Sequence, residues 1–300
     1  MTQALAASAP ERRPIVPREK LDFQLDSDIP KYWFGGDPFK SRYFDAMSTI
    51  FPEGERFFMS CVRDFRDRVQ DPRLLQEIKH FIRQEGQHGM VHGQFNDHLA
   101  AQGIKVDGVE RFVKWMLFDV LRKHLPKAHT LAQTAAAEHL TAILAHSLFE
   151  RREVFDSADP RMLAMWAWHA MEEVEHKAVA FDVMQQAAGV GYVRRVFALL
   201  ELSWSFPLFT LIVTHNMLRR DGFTRWQRTK LMARGLWWLY KPGGVFTSRS
   251  VLGHYFQYFK PGFHPWQTGQ LESYKLWLDT LSATHDPILA GRVLHQAAVV

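Results

Sequence analysis

The chain has a single cysteine, Cys61, in 300 residues. An internal disulfide and a cysteine-ligated zinc site are both excluded, and a reducing compartment fits. No stretch of any length alternates apolar and polar residues, so strands have no support. Charge of one sign is also scarce: 37 Lys and Arg stand against 32 Asp and Glu, for a net +5. The arginines are scattered and form no basic stripe, which argues against nucleic acid as a partner. Residues 1–20 hold Pro10, Pro14 and Pro17 with several charges but lack the apolar core of a secretion signal. That segment reads as a disordered or extended arm. The expected location is the cytoplasm, with association at the inner membrane face left open. Flavin and iron–sulfur motifs are missing as well.

Apolar residues are plentiful at 47%, enough for a substantial core. The 23 Phe and 10 Trp point to a thick core, an apolar pocket or a membrane-facing patch. The 3.6-residue pattern predicts an all-α chain. Residues 41–69 read as a helix broken near Pro52. Asp71-Pro72 opens a helix to about Ala100, and Pro72 suits its first turn. Further helices cover 109–125, 129–155 and, from Asp159-Pro160, a run to about Ala188. Val196 to His215 is nearly all apolar, with Glu201 and Pro207 inside it and arginines at both ends. It reads as a buried core helix, with an interfacial or membrane-inserted segment as the alternative. The segments 235–240 and 255–266 are aromatic and rich in Gly and Pro. They suit a pocket wall, a membrane contact or a subunit contact.

One pattern carries chemistry. Glu85-Gly86-Gln87-His88 and Glu173-Val174-Glu175-His176 both read Glu-x-x-His. Residues three apart share a helix face, so each motif aims a carboxylate and an imidazole at one point. Two such motifs, each joined by a lone Glu from another helix, build the dimetal site of ferritin-like bundles. Glu55 precedes the first motif and Glu138 lies between the two. Glu55 shares its face with Phe58, Met59 and Val62, whereas Glu53 falls with Arg56 and Ser60 and looks solvated. A carboxylate on an apolar stripe is costly unless it is paired or metal-bound. Glu138 is flanked by Thr134, Ala135, Thr141, Ala142 and Ala145, small enough to leave room around it. His169 lies in one arc of about 60° with Glu173 and His176 at 100° per residue, as His92 does with Glu85 and His88. His92, Gln84 and Glu172 are expected behind the ligands, where they orient imidazoles. Glu175 points off the arc.

The strings Phe51-Pro52-Glu53-Gly54-Glu55, Gln84-Glu85-Gly86-Gln87-His88 with His92, Trp168 to Lys177, and Phe263-His264-Pro265-Trp266 resemble the bacterial "predicted metal-dependent hydrolase" family over about residues 40 to 270. The ligand layout is also similar to the ferritin-like di-iron oxygenases of the aminobenzoate N-oxygenase type, which carry a histidine four residues before the last Glu-x-x-His, as His169 stands here. Carried over, the resemblance implies Glu55, Glu85, His88, Glu138, His169, Glu173 and His176 as metal ligands. One departure stands out: Gln84 and Glu172 occupy places where that pattern often has Asp.

The expected architecture is a ferritin-like four-helix bundle with a dimetal centre over residues 41–190. Residues 1–40 form an arm before it. Residues 191–300 form an aromatic-rich helical extension that packs on the bundle or on a membrane surface. Two metal ions are the expected cofactors, iron first, with manganese or zinc compatible. The leading expectation is a di-iron oxygenase that oxidises an apolar small molecule with an external electron donor. The alternative is a metal-dependent hydrolase acting through metal-activated water, with His92 and His139 as acid–base candidates. A peripheral membrane contact and a homodimer remain open.

Overall fold

The computed structural model describes residues 12–25, 28–267 and 273–298. Every extended regular element among them is helical, and strand pairing is limited to an isolated bridge between Phe34 and Ala158. The order is α1 (Pro38–Arg63), α2 (Pro72–Ala101), α3 (Val106–Lys114), a π-helical stretch Trp115–Leu121, α4 (Arg122–His124) and α5 (Lys127–Phe149). Then come α6 (Pro160–His176), α7 (Val179–Gln186), α8 (Tyr192–Arg220), α9 (Arg225–Tyr240), α10 (Arg249–Gln257), α11 (Tyr274–Thr284) and α12 (Pro287–Ala297).

An Asp-Pro pair opens α1, α2, α6 and α12 alike. Proline fits the first turn because its missing N–H would be unsatisfied there anyway. The aspartate side chain accepts from the freed amides: Asp37 from Phe39 and Lys40, Asp71 from Arg73, Asp159 from Arg161, Asp286 from Ile288 and Leu289. Each such cap stabilises its helix by about 1 kcal/mol.

The four-helix bundle is α1, α2, α5 and α6. α1 runs along α2, α5 and α8, and α5 packs on α6, α7 and α8. α6 is the central helix, with every residue from Met162 to His176 buried. Its outer side is covered by α12, where the backbones come together at Gly291: a Cβ there would lie 2.8 Å from Ala164 Cα. Both hydrophobic cores cross residue 190. One joins Phe44 and Trp166 to Val213, Trp277 and Leu294; the other joins Phe81 and Ala135 to Leu199 and Tyr258.

Three local expectations change. α1 is not broken at Pro52. A proline in a helix leaves the carbonyl four residues back without its N–H partner. That carbonyl belongs to Ser48, and Asn96 Nδ2 of α2 donates to it at 3.1 Å. The run expected from Pro160 to Ala188 divides at Lys177, immediately after the second motif, into α6 and α7. Residues 12–25 have no regular secondary structure, yet Ile15 and Phe23 are buried, so this part of the arm is extended and docked rather than disordered. Phe23 lies against Trp168 with ring centroids 5.2 Å apart. Residues 1–11 lie outside the described part.

Candidate metal centre

α1 supplies Glu55, α2 supplies Glu85 and His88, α5 supplies Glu138, and α6 supplies His169, Glu173 and His176. None of the seven is more than 5% exposed. Their polar atoms meet between the four helices. Glu173 Oε1 lies at the middle, 3.3 Å from His169 Nε2, 3.4 Å from His176 Nε2 and 3.5 Å from His88 Nδ1. His176 Nε2 is also 3.1 Å from Glu85 Oε1 and 3.2 Å from Glu138 Oε2. Glu55 Oε1 is 4.0 Å from His169 Nδ1. Donor atoms close to within 4.8 Å in overlapping triads: Glu55 with Glu85 and His88, His88 with His169 and Glu173, Glu85 with Glu173 and His176. Glu55, His92 and His169 form another such triad, while Glu138 joins through His176 alone.

Do these residues suit a cation? Both oxygens of Glu55, Glu85 and Glu138 are buried without a hydrogen-bond partner, and so are His88 Nδ1 and His176 Nε2. Some of these atoms approach one another closely, but not in hydrogen-bond geometry. Orphaned carboxylates in a dry interior are strongly unfavourable unless positive charge lies between them. Burial, then repulsion from Glu85, Glu173 and Glu138, raises the Glu55 carboxyl well above its ordinary range. Burial and the charges of Glu173 and Glu85 do the same to Glu138. Glu85 is pushed up to about 7, chiefly by burial. Burial opposes ionisation of Glu173 too, but His176 and His169 outweigh it and hold that carboxyl well below its usual range. Divalent cations would relieve the repulsion, and the carboxylate and imidazole donor set suits iron, manganese or zinc.

The sequence pattern of a family described as predicted metal-dependent hydrolase matches residues 17–269. The chain belongs to this family. No curated protein and no solved structure matches. The matched span covers all four bundle helices and part of the docked arm, and ends before α11 and α12.

In this member of the "predicted metal-dependent hydrolase" family, each imidazole is held from behind. Gln84 Nε2 donates to Glu175 Oε2 at 2.8 Å and to the Val16 carbonyl at 3.2 Å, so its Oε1 faces His176. His176 Nδ1–H donates to that oxygen at 2.8 Å, which turns Nε2 toward the carboxylates; burial opposes a charge there, but Glu173 and Glu138 hold the imidazole well above its usual range, and a bound cation would take the place of the Nε2 proton. His88 Nε2–H donates to Glu172 Oε2 at 3.2 Å and turns Nδ1 inward. The third chain is longer. Asn96 Nδ2 faces the Ser48 carbonyl, so Asn96 Oδ1 accepts from Ser48 Oγ at 2.9 Å. Ser48 Oγ then accepts from His92 Nδ1–H at 2.9 Å, and His92 Nε2 accepts from His169 Nδ1–H at 2.9 Å. His169 Nε2 is left facing Glu173 Oε1 at 3.3 Å, where a bound cation would meet its lone pair. This tautomer chain assigns His92 to the position behind His169, although its distances also admit it as a ligand.

Aromatic rings close the remaining sides. Phe51 stacks on His169 at 5.0 Å, Phe81 meets His176 edge-on at 5.0 Å, and Trp168 meets His88 edge-on at 4.8 Å. Thr141, expected only as a small neighbour of Glu138, donates its hydroxyl to Glu173 Oε2. Gly89 faces α1, where a Cβ would come 3.1 Å from Glu55 Oε2 and 3.7 Å from Pro52 Cα. Its lack of a side chain keeps α2 close and leaves room for the Glu55 carboxylate.

His139 is not at the centre. It points about 100° round α5 from Glu138, 4.7 Å from the Tyr258 ring and 5.1 Å from Phe263. Burial there pushes its pKa down to about 3. Glu53 pairs with Arg56 and takes no part. Sequence reasoning missed a buried network behind the site. Arg18 Nη2 donates to Glu175 Oε1 at 2.6 Å, and Nη1 donates to Glu175 Oε2 at 3.1 Å and Glu172 Oε1 at 3.0 Å. The Tyr274 hydroxyl of α11 donates to Glu175 as well. Glu175 does point off the ligand arc, but into this network rather than into solvent. No periodic signal marks Arg18, since its segment has no regular structure.

Proposed function

We propose that the chain is a dimetal enzyme whose two ions are held by Glu55, Glu85, His88, Glu138, His169, Glu173 and His176. The observation that carries this is the set of buried, unpartnered carboxylate and imidazole atoms aimed at one space. The ions would supply Lewis acidity and a lowered pKa for a water molecule, or, as iron, one-electron chemistry with dioxygen. The chain's own residues fix the donors. Glu172, Gln84 and His92 set the three tautomers, and Phe51, Phe81 and Trp168 exclude bulk water.

Hydrolysis is the reaction that the family description supports. On that reading Glu138, which lies in none of the donor triads, is the carboxylate placed to accept a proton from a water that the ions would activate. A second reading is oxygen-dependent oxidation of an apolar small molecule with an external electron donor. Two observations favour it: the donors lie in an apolar aromatic shell, and His139 is turned away from the centre. A dry shell shelters activated oxygen and disfavours water chemistry.

One comparison separates them. Zinc-loaded and iron-loaded protein are assayed on a panel of esters and amides under nitrogen, and dioxygen uptake by the reduced iron form is followed in parallel. Hydrolysis predicts turnover by the zinc form without air. Oxidation predicts reductant-dependent dioxygen uptake by the iron form and an inert zinc form.

A further inference from the structure

α8 has two unlike faces. Inward, Leu199, Val213, Met217 and Leu218 are buried against the bundle. Outward, Val193, Phe197, Leu200, Trp204, Leu208 and Ile212 are exposed, with Val193 at 79% and Trp204 at 63%. At 100° per residue these six fall within an arc of about 120°. They form an apolar stripe about 28 Å long at 1.5 Å per residue. Phe112 and Trp115 extend it sideways, and Phe112 stacks on Phe209 of α8 at 5.3 Å. A contiguous apolar patch of this kind marks an interaction surface. Only 22% of the most apolar 18-residue window, of mean hydropathy 1.9, is buried, so α8 is not the buried core helix its composition first suggests.

Charge narrows the partner. Exposed cations stand at both ends of α8 and on α9, which packs against it: Arg194, Arg219, Arg220, Arg225, Lys230 and Arg234. The acids between residues 192 and 241 are Glu201 and Asp221. Asp221 is buried against Arg42 and Lys31 at 2.8 Å each, and Glu201, which falls within the stripe's arc with 28% of its side chain exposed, is paired with His129 at 2.9 Å. A second copy would set basic ends against basic ends in either a parallel or an antiparallel pairing. Anionic lipid headgroups complement those ends, and acyl chains complement the stripe.

We propose that the outward face of α8, with Phe112 and Trp115, docks on an anionic lipid bilayer and lies along the headgroup–acyl boundary. The helix is long and apolar enough to span a membrane. Its inward face, however, packs on α1 and α5, the helices that carry Glu55 and Glu138. Spanning would pull it off the bundle and open the metal centre; lying flat keeps both faces satisfied. Phe206, on the inward face of α8, lies 6.4 Å from Phe51, the ring stacked on His169, so α8 lies between the docked face and the site. The proposal does not depend on which reaction the centre performs.

The test is cosedimentation of the full-length, metal-loaded protein with vesicles. One set is phosphatidylcholine alone and the other contains phosphatidylglycerol. Binding to the anionic vesicles should be at least about tenfold tighter and should weaken in high salt. The double variant Trp204→Ser, Leu208→Ser should lower it by about tenfold or more, with helical content and metal content unchanged, because both side chains face outward. Brominated lipids should quench a fluorescence component that Trp204→Phe removes. Failure to sediment with either vesicle would overturn the proposal. So would a dimer that the double variant dissociates without changing vesicle binding, since a second copy would then cover the stripe.

Discussion

Replacing Arg18 with Ala should damage stability and metal binding together. The guanidinium makes three hydrogen bonds to Glu172 and Glu175, with only 10% of its side chain exposed and both carboxylates fully buried. Breaking a buried ion pair from one side costs about 3–5 kcal/mol, because the partner charge stays buried. For a chain of this size that is a fall in melting temperature of about 6–10 °C. Both carboxylates also support imidazoles, Glu172 through His88 and Glu175 through Gln84 and His176. Loss of such support lowers metal affinity by about 10–100-fold. The effect should depend on pH. Burial, despite Arg18, already holds the Glu172 carboxyl up at about 7. Removing the guanidinium raises it further, so the neutral acid becomes the form the fold prefers. A group with a raised folded pKa contributes stability that is lost as pH rises through that value. The destabilisation should therefore be largest near about pH 8 and shrink near about pH 5, where Glu172 takes up a proton. Arg18→Lys, which keeps the charge but not the fork, should fall between. Calorimetry at both pH values and a metal titration make the measurement. A melting temperature within about 2 °C of wild type at about pH 8, with unchanged metal affinity, would refute the reasoning.

Gly89→Ala should weaken metal binding while leaving the helical content intact, because the new methyl would lie 3.1 Å from Glu55 Oε2 and must displace that carboxylate; equal metal affinity in the variant would show that the carboxylate moves freely. Metal-free protein should lose stability as pH rises from about 4.5 toward about 7, since Glu85 prefers its proton when folded. Metal-loaded protein should show the opposite trend, and parallel melting curves across this window would count against the centre. His169→Ala should release an ion, whereas His92→Ala should only weaken it by about 10–100-fold if His92 acts through His169. Complete loss of an ion in His92→Ala would instead make His92 a ligand.

The bundle and the convergence of the seven donors are legible in the sequence because both follow from helical periodicity. Glu55, Glu138 and the two motifs each sit on an inward arc, and a long helix leaves little freedom in where such residues point. Proline placement is read less well. The pattern suggests a break at Pro52, but Asn96, far away in sequence, satisfies the carbonyl that the proline leaves free. The Arg18 network is illegible for a related reason: an extended arm has no period, and its register on α2 and α6 is set by tertiary contacts alone. His139, adjacent to Glu138, looks equally available as a catalytic base until the helix turns it about 100° away. The outward stripe of α8 is ambiguous in sequence because a helix apolar all round reads the same in a core as at a membrane. Only the packing of α1 and α5 on its inner side tells the two faces apart.

Metal stoichiometry tests the central claim most directly. Protein reconstituted without air with ferrous, manganous or zinc ions is freed of excess metal and analysed for metal per chain, beside the variant Glu138→Ala. Two ions per chain in the wild type, and a sharp loss in Glu138→Ala with helical content preserved, is the predicted result. One ion or none in the wild type with every metal offered would contradict the dimetal centre.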